Sequence, residues 1–325
     1  MNPFGLHILS PVAARKVAWA AVQALCLLLP VAALAQDSFL APLGPVAEAQ
    51  RSHLIRVTLI TMIAIVPVLI ATPLILWRFH RVHGSGAYRP EKRLYRPDWE
   101  FSGPLEVAMW GVPFAIIAVL GWWLWHESDR LDPYRALGPE PLEVQAIGLD
   151  WKWLFLYPDL GIATLNELVI PVDRPVRVAL TTDTVMQSFR ISALAGQIYA
   201  MPGMRTELNF IAARPGTARG ENTQYSGAGF AEQHFAVTAL SDGAWQDWAQ
   251  VPADRVLDRA TYARLGQAAT PAQTLALLGL EGQESARFGL GRRDLFDRVI
   301  ARYHQGGPVA ATAQPGAPAY AGGGG

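Results

Sequence analysis

Three long apolar runs open the chain, and short alternating segments follow them. Residues 17–34 form the first run, interrupted by Gln23 and Pro30. Residues 57–77 make a second run of 21 positions without a charge. At about 1.5 Å of rise per residue, a helix of that length crosses about 30 Å of hydrocarbon. Pro67 and Pro73 each remove a backbone donor there, which predicts kinks of the kind that neighbouring helices accommodate. Residues 107–125 form a third uncharged run of 19 positions, with Trp110, Trp122, Trp123 and Trp125 towards its two ends. Indole rings favour membrane interfaces, so this run also predicts a span.

From Pro141 the pattern shortens. Seven segments rich in β-branched and aromatic residues, 142–147, 151–156, 167–172, 176–181, 185–191, 205–212 and 234–240, read as strands. Turn signals such as Pro158-Asp159, Asp173-Arg174-Pro175 and Arg214-Pro215-Gly216 separate them. Short strands without intervening helices predict a β-sandwich of Greek-key type. After Asp247 the period becomes helical, over 260–265, 271–278 and 294–303, the last with Leu295, Val299 and Tyr303 on one stripe. The expected fold class is therefore membrane-anchored α+β: a two-helix transmembrane hairpin, a Greek-key sandwich and a short helical extension. Its expected boundaries are a signal segment at 1–35, the hairpin region at 36–137, the sandwich at 138–248 and the extension at 249–305. Residues 306–325, rich in Gly, Ala and Pro, predict a disordered tail.

Composition narrows the function. The 325 residues carry 27 basic and 27 acidic side chains. No basic excess is available for phosphate contacts, which argues against nucleic acid as a partner. The single cysteine, Cys26, lies in the first apolar run. That run follows Arg15-Lys16 and ends in Ala33-Leu34-Ala35, the order of a secretory signal peptide cleaved after Ala35. A lipoprotein reading of Cys26 is weaker, because bulky Leu25 stands where a small residue should precede the cysteine. Cleavage would leave a chain without a thiol, excluding thiol catalysis and disulfide scaffolding. Between the two expected spans lie Arg78, Arg81, Arg89, Lys92, Arg93 and Arg96, whereas the outer flanks hold only Arg51, Arg56, Arg130 and Arg135. The positive-inside rule then makes this loop cytoplasmic and sends both ends outward, to the periplasmic side of a bacterial inner membrane. The basic loop would also anchor the hairpin to lipid headgroups.

Several motifs coincide in this arrangement. The second span opens E-x3-W-x2-P with Glu106, Trp110 and Pro113, and the sandwich begins Asp150-Trp151-Lys152-Trp153. There follow Val185-Met186-Gln187-Ser188-Phe189, Gln197-Ile198-Tyr199-Ala200-Met201-Pro202-Gly203-Met204, and the loop from Gly220 to Gln233. Together they resemble subunit II of the haem-copper terminal oxidases, whose outward domain is cupredoxin-like. Members of that family that oxidise cytochrome c hold a dinuclear copper centre on a C-x3-C-x3-H-x2-M loop. Placed on this chain, the cysteine positions are Asn222 and Ser226, the carbonyl donor is Gln224, the histidine is Phe230 and the methionine is Gln233. Gln187 stands where the first loop has histidine, while Gly227 and Gly229 of the turn remain. Amides, a hydroxyl and a phenyl ring cannot replace soft thiolates, so no metal is expected in this chain. His234 reads as structural and Trp151 as packing.

The pattern is similar to the copper-centre-less branch, the cytochrome bo-type ubiquinol oxidases. That resemblance implies a proton-pumping complex that oxidises ubiquinol and reduces oxygen to water. Haems and one copper would sit in partner subunit I, beside subunits III and IV, with no catalytic residue in this chain. The alternatives are a cytochrome c oxidase subunit II or a free-standing tethered cupredoxin-like module. The family also associates a glutamate near Glu106 with a proton entrance to subunit I. The other reading of Glu106 is an interfacial residue that merely marks the start of the helix.

Overall fold

The computed structural model describes residues 39–79, 100–306 and, beyond these, 309, 310, 312–317, 319 and 320. The expected signal segment with Cys26, and loop residues 80–99 with their basic side chains, lie outside the described residues. The described residues fall into two compact units, one within 49–135 and the other within 39–48 and 136–320.

The hairpin unit is formed by α1 (Pro45–Phe79) and α2 (Gly103–Arg130), both longer than the apolar runs within them. Both helices have the length and hydropathy of membrane spans, and neither span is buried within the chain. Leu59, Ile63, Val66, Leu69 and Ile70 on α1, with Val107, Phe114 and Ile117 on α2, are all exposed. In water such a surface would be untenable. The chain is membrane-anchored.

The second unit contains two sheets. The first sheet has seven strands, with β1 (Leu142–Leu149), β2 (Lys152–Tyr157), β3 (Ile162–Leu165), β5 (Pro175–Thr182), β8 (Thr206–Ile211), β11 (Val256–Leu257) and β12 (Ala286–Leu290) in the order β11-β12-β3-β2-β1-β5-β8. The second has five, with β4 (Glu167–Pro171), β6 (Gln187–Ile191), β7 (Gln197–Ala200), β9 (Gly216–Glu221) and β10 (His234–Leu240) in the order β4-β10-β9-β6-β7. β1 pairs in parallel with β5, and β4 in parallel with β10, as expected where a strand crosses between the layers of a sandwich. Between the sheets Trp153, Phe155, Phe189 and Phe235 pack together, with Phe189 stacked on Phe235 at 5.0 Å between centroids. Gly220 faces Phe235 across the β9–β10 ladder, and a Cβ there would stand 2.0 Å from the Phe235 ring. That close approach explains a glycine within a strand.

At β2 and β3 the larger sheet is buried on both faces. Trp153, Phe155 and Tyr157 of β2 point into the sandwich core. Leu154 and Leu156, between them, join a second core with Leu257, Tyr262, Leu265, Leu275, Phe288, Phe296 and Val299. This second core is built by α4 (Arg259–Leu265), α5 (Pro271–Leu277) and α6 (Leu295–Arg302), while α3 (Asp242–Gln250) follows β10. The C-terminal extension is therefore a third layer of the same unit. It also adds β12 to the sheet, paired antiparallel to β3. In the terminal stretch, for which composition predicts disorder, Pro315 is buried and the Gly316 amide donates to the Gly266 carbonyl at 3.1 Å.

One buried carboxylate ties this layer down. Asp183, fully buried after β5, accepts hydrogen bonds from Tyr262 at 2.6 Å, Tyr303 at 3.1 Å and Arg302 at 2.7 and 2.8 Å. Burial pushes its pKa up from 3.8 to about 6, against the opposing pull of the Arg302 guanidinium. The folded state thus binds this proton more tightly than the unfolded chain does. The associated stability is complete below 3.8 and is lost as pH rises through about 6. Replacing Asp183 by Asn removes this titration. On lowering the pH across that window, wild type should gain on Asp183→Asn by at most about 1.4 kcal/mol per pH unit. Urea unfolding of the detergent-solubilised chain, followed by tryptophan fluorescence, measures the gap.

Candidate functional site

At one end of the sandwich the β1–β2 turn, the loop before β6 and the loop between β9 and β10 converge. The structure brings four of the six sequence-marked loop positions into one hydrogen-bonded cluster. Gln187 and Gln233, both buried, each donate a side-chain amide to the Leu149 carbonyl, at 3.1 and 3.2 Å. Gln233 also donates to Gln187 Oε1 at 2.7 Å. Gln233 Oε1 accepts from Asn222 at 2.8 Å and from the Ser226 hydroxyl at 3.0 Å. Asn222 Oδ1 accepts from the backbone amides of Ser188 and Gln224, each at 2.9 Å.

The remaining two positions stand apart. Gln224 takes part through its backbone amide. Phe230 opens a short 3-10 turn, Phe230–Glu232, with its ring 5.7 Å from that of Tyr225. Trp151 covers the loop, donating its indole N–H to the Ser226 carbonyl at 2.9 Å. The two glycines have different reasons. Gly227 has φ +115°, which an L side chain rarely adopts. Gly229 is needed for space, because a Cβ would lie 2.3 Å from the Trp151 ring. Gly148 likewise leaves room for Gln187, whose Oε1 would meet a Cβ at 2.4 Å.

This arrangement does not fit a thiolate copper centre. The acceptor oxygens at its middle, Gln187 Oε1, Gln233 Oε1 and Asn222 Oδ1, are already engaged by protein donors. The amide nitrogens present hydrogens, and amide and hydroxyl oxygens are hard donors poorly matched to soft copper. Among the described residues, no three His, Cys, Asp or Glu side chains gather as metal ligands. The cluster's chemistry is to close the loops.

Two buried ionisable groups beside it, Lys152 and Asp183, were assigned no role from the sequence. Lys152, fully buried, donates to the carbonyls of Asp150, Gln267 (2.8 Å) and Ala269 (3.1 Å). Burial lowers its pKa to about 7, against the opposing charge of Asp150. Asp150 is raised by burial, with the Thr184 hydroxyl and Lys152 pulling the other way. Asp183, described above, is the second. Lys152 was seen only as part of the Asp150-Trp151-Lys152-Trp153 motif, and Asp183 is a lone charge in a turn-like stretch. His234 opens β10 and lines a cleft of about 490 Å³ with Arg219, Glu232 and Glu284. Burial and the Arg219 charge lower its pKa. In the hairpin unit, Glu106 sits in the first turn of α2 and accepts from the Trp110 indole at 3.0 Å.

Comparison with known proteins decides the family. Residues 161–240 match the family model described as cytochrome c oxidase subunit II, periplasmic domain. The cytochrome bo(3) ubiquinol oxidase subunit 2 of Pseudomonas aeruginosa is 42% identical over 64% of this chain and 61% of its own length, so less than two thirds of that relative is spanned. The Pseudomonas putida protein of the same name is 38% identical over 71% of this chain and 72% of its own. The ubiquinol oxidase subunit 2 of Acetobacter aceti is 35% identical over 82% of both chains. The chain belongs to the ubiquinol oxidase subunit 2 family. The resemblance read from the sequence is borne out, as is the hairpin-plus-sandwich fold, and the relatives support the quinol branch over the cytochrome c oxidase alternative.

If the cluster holds the loops, truncating its hub is costly. Gln233→Ala strips partners from Leu149, Gln187, Asn222 and Ser226 at once. At about 1–3 kcal/mol per buried polar group left unsatisfied, and with water regaining some, a loss of about 3 kcal/mol is expected. Thermal unfolding of the solubilised protein reads it.

Proposed function

We propose that this chain is subunit II of a proton-translocating terminal ubiquinol oxidase, which couples ubiquinol oxidation and the reduction of oxygen to water with outward proton transfer. The observation that carries this reading is the closed amide cluster of Gln187, Asn222, Ser226 and Gln233, standing where a copper-bearing relative would need thiolates and imidazoles. A soluble haem donor requires a relay on the outward face, and this cluster offers none. A donor dissolved in the bilayer requires no such relay. In this reading the redox centres, haems and one copper, belong to subunit I, and subunits III and IV complete the assembly. This chain anchors, caps and assists assembly. The sandwich faces the periplasm, in accord with the excess of Arg and Lys between the spans.

The decisive measurement is oxygen consumption by the intact complex purified in mild detergent. Rapid turnover with ubiquinol-1 and negligible turnover with ferrocytochrome c are expected, and the reverse preference overturns the reading. A haem-bearing partner should also co-purify in equal amount, which a free-standing module would not require.

Glu106 is a candidate for a part in proton traffic. It lies at the start of α2, at a membrane boundary where a carboxylate must be hydrated or hydrogen-bonded, and Trp110 supplies one such bond. Glu106→Ala should slow turnover several-fold with assembly and haem content unchanged, and Glu106→Asp should recover most of it. Unchanged turnover and pumping in Glu106→Ala would leave the residue a simple helix marker.

A further inference from the structure

The hairpin carries, at the end opposite Glu106, an arginine whose environment calls for an anion. Arg56 lies on α1 with its guanidinium carbon 5.7 Å from the centre of the Trp123 ring on α2. His53, one turn earlier, meets the same ring edge-on at 4.9 Å. Trp123 is fixed from the other side, its indole N–H donating to Glu127 at 3.2 Å. Glu127 is itself 3.9 Å from Arg130. Among the described residues, no carboxylate lies within 4.0 Å of Arg56.

Depth sets the chemistry. Trp122 and Trp125, 67% and 81% exposed, flank Trp123 and mark this end of α2 as an interfacial belt. Leu59 and Ile63, three and seven residues after Arg56, are exposed and apolar, so the guanidinium stands at the rim of the surface that meets hydrocarbon. A cation at that level snorkels to the headgroup layer. The abundant anion there is the phosphodiester of a phospholipid, and a planar guanidinium pairs with phosphate oxygens two at a time. The cation–π contact with Trp123 limits the rotamer freedom that binding would otherwise remove.

We propose that Arg56, backed by Trp123 and His53, forms a binding site for the phosphate headgroup of an anionic phospholipid at this end of the hairpin. The site rests on the membrane-anchored reading and is independent of the electron donor. It selects a net-negative headgroup, because the choline of a zwitterionic lipid would add a cation beside Arg56.

The test uses the intact delipidated complex, titrated with dioleoylphosphatidylglycerol or dioleoylphosphatidylcholine, with bound lipids counted by native mass spectrometry. Wild type should hold one phosphatidylglycerol more than Arg56→Gln, with its affinity lowered about five-fold in the variant. Arg56→Lys, which keeps the charge but loses the planar fork, should fall between them. Inorganic phosphate at equal concentration should not compete, as it lacks the acyl chains that place the headgroup. Equal retention of phosphatidylglycerol by wild type and Arg56→Gln overturns the site, and so does equal binding of the two lipids. Loss of the haem-bearing partner from Arg56→Gln with lipid binding unchanged would assign Arg56 to a carboxylate of that partner instead. Release of the wild-type chain from alkaline-washed membranes would overturn the anchored reading and this site together. Retention with unselective lipid binding overturns the site alone.

Discussion

Two glutamines share one carbonyl. Leu149 O, at the end of β1, accepts from both Gln187 and Gln233, and this joins three loops that lie far apart in the sequence. Loops that converge at the end of a sandwich bring backbone and side-chain polar groups out of water, and each must find a partner or cost free energy. A metal can satisfy such a convergence by collecting lone pairs. Here the amides do so by supplying donors and acceptors in alternation, from Gln187 to Gln233 to Asn222, with Ser226 completing the chain. The turn at Gly227 and the close approach of Trp151 over Gly229 both follow from that closure.

Much of this was legible in the sequence because the informative residues lie close together. The loop from Gly220 to Gln233 places its ligand-equivalent positions within a dozen residues, so the family resemblance could be laid on it directly and nominated Asn222, Ser226 and Gln233. The seven strands read from apolar alternation all exist, with ends shifted by a residue or two. The strands that escaped are those whose stability is not local. Gly216–Glu221 has the sequence GTARGE, and its pairing with β10 and the Phe235 ring over Gly220 supply what its side chains lack. Ala286–Leu290 and Ile162–Leu165 are short and depend on each other across the sheet. The helix Asp242–Gln250 offers only Trp245 and Trp248 as large apolar anchors, too sparse a stripe to stand out from a loop.

The extension illustrates a different limit. Its helices were visible from their periodicity, but the face they cover was not. The run Lys152–Tyr157 is buried at every position, which a two-layer sandwich cannot explain, since one face of each sheet should meet solvent. The third layer resolves this, and it also accounts for the two buried charges. Lys152 ends against the carbonyls of Gln267 and Ala269, and Asp183 against Tyr262, Arg302 and Tyr303, all of them from the extension. Asp183 was an isolated letter in the sequence, and Lys152 had only Asp150 beside it. Their partners in the extension are about 80 to 120 residues away, and only folding brings them within reach.

The choice of residues in the loop cluster follows from what each side chain can offer. A carboxylate has only acceptors, an ammonium only donors, and a neutral imidazole one of each. An amide has both, on one rigid plane, and carries no charge that would need a counter-ion in a buried place. Three amides and a hydroxyl can therefore saturate one another where thiolates and imidazoles without a metal would leave lone pairs or charges exposed to each other. The demand on this cluster is that its buried polar groups balance. Gln187, Asn222, Ser226 and Gln233 meet that demand by hydrogen-bonding one another and the Leu149 carbonyl.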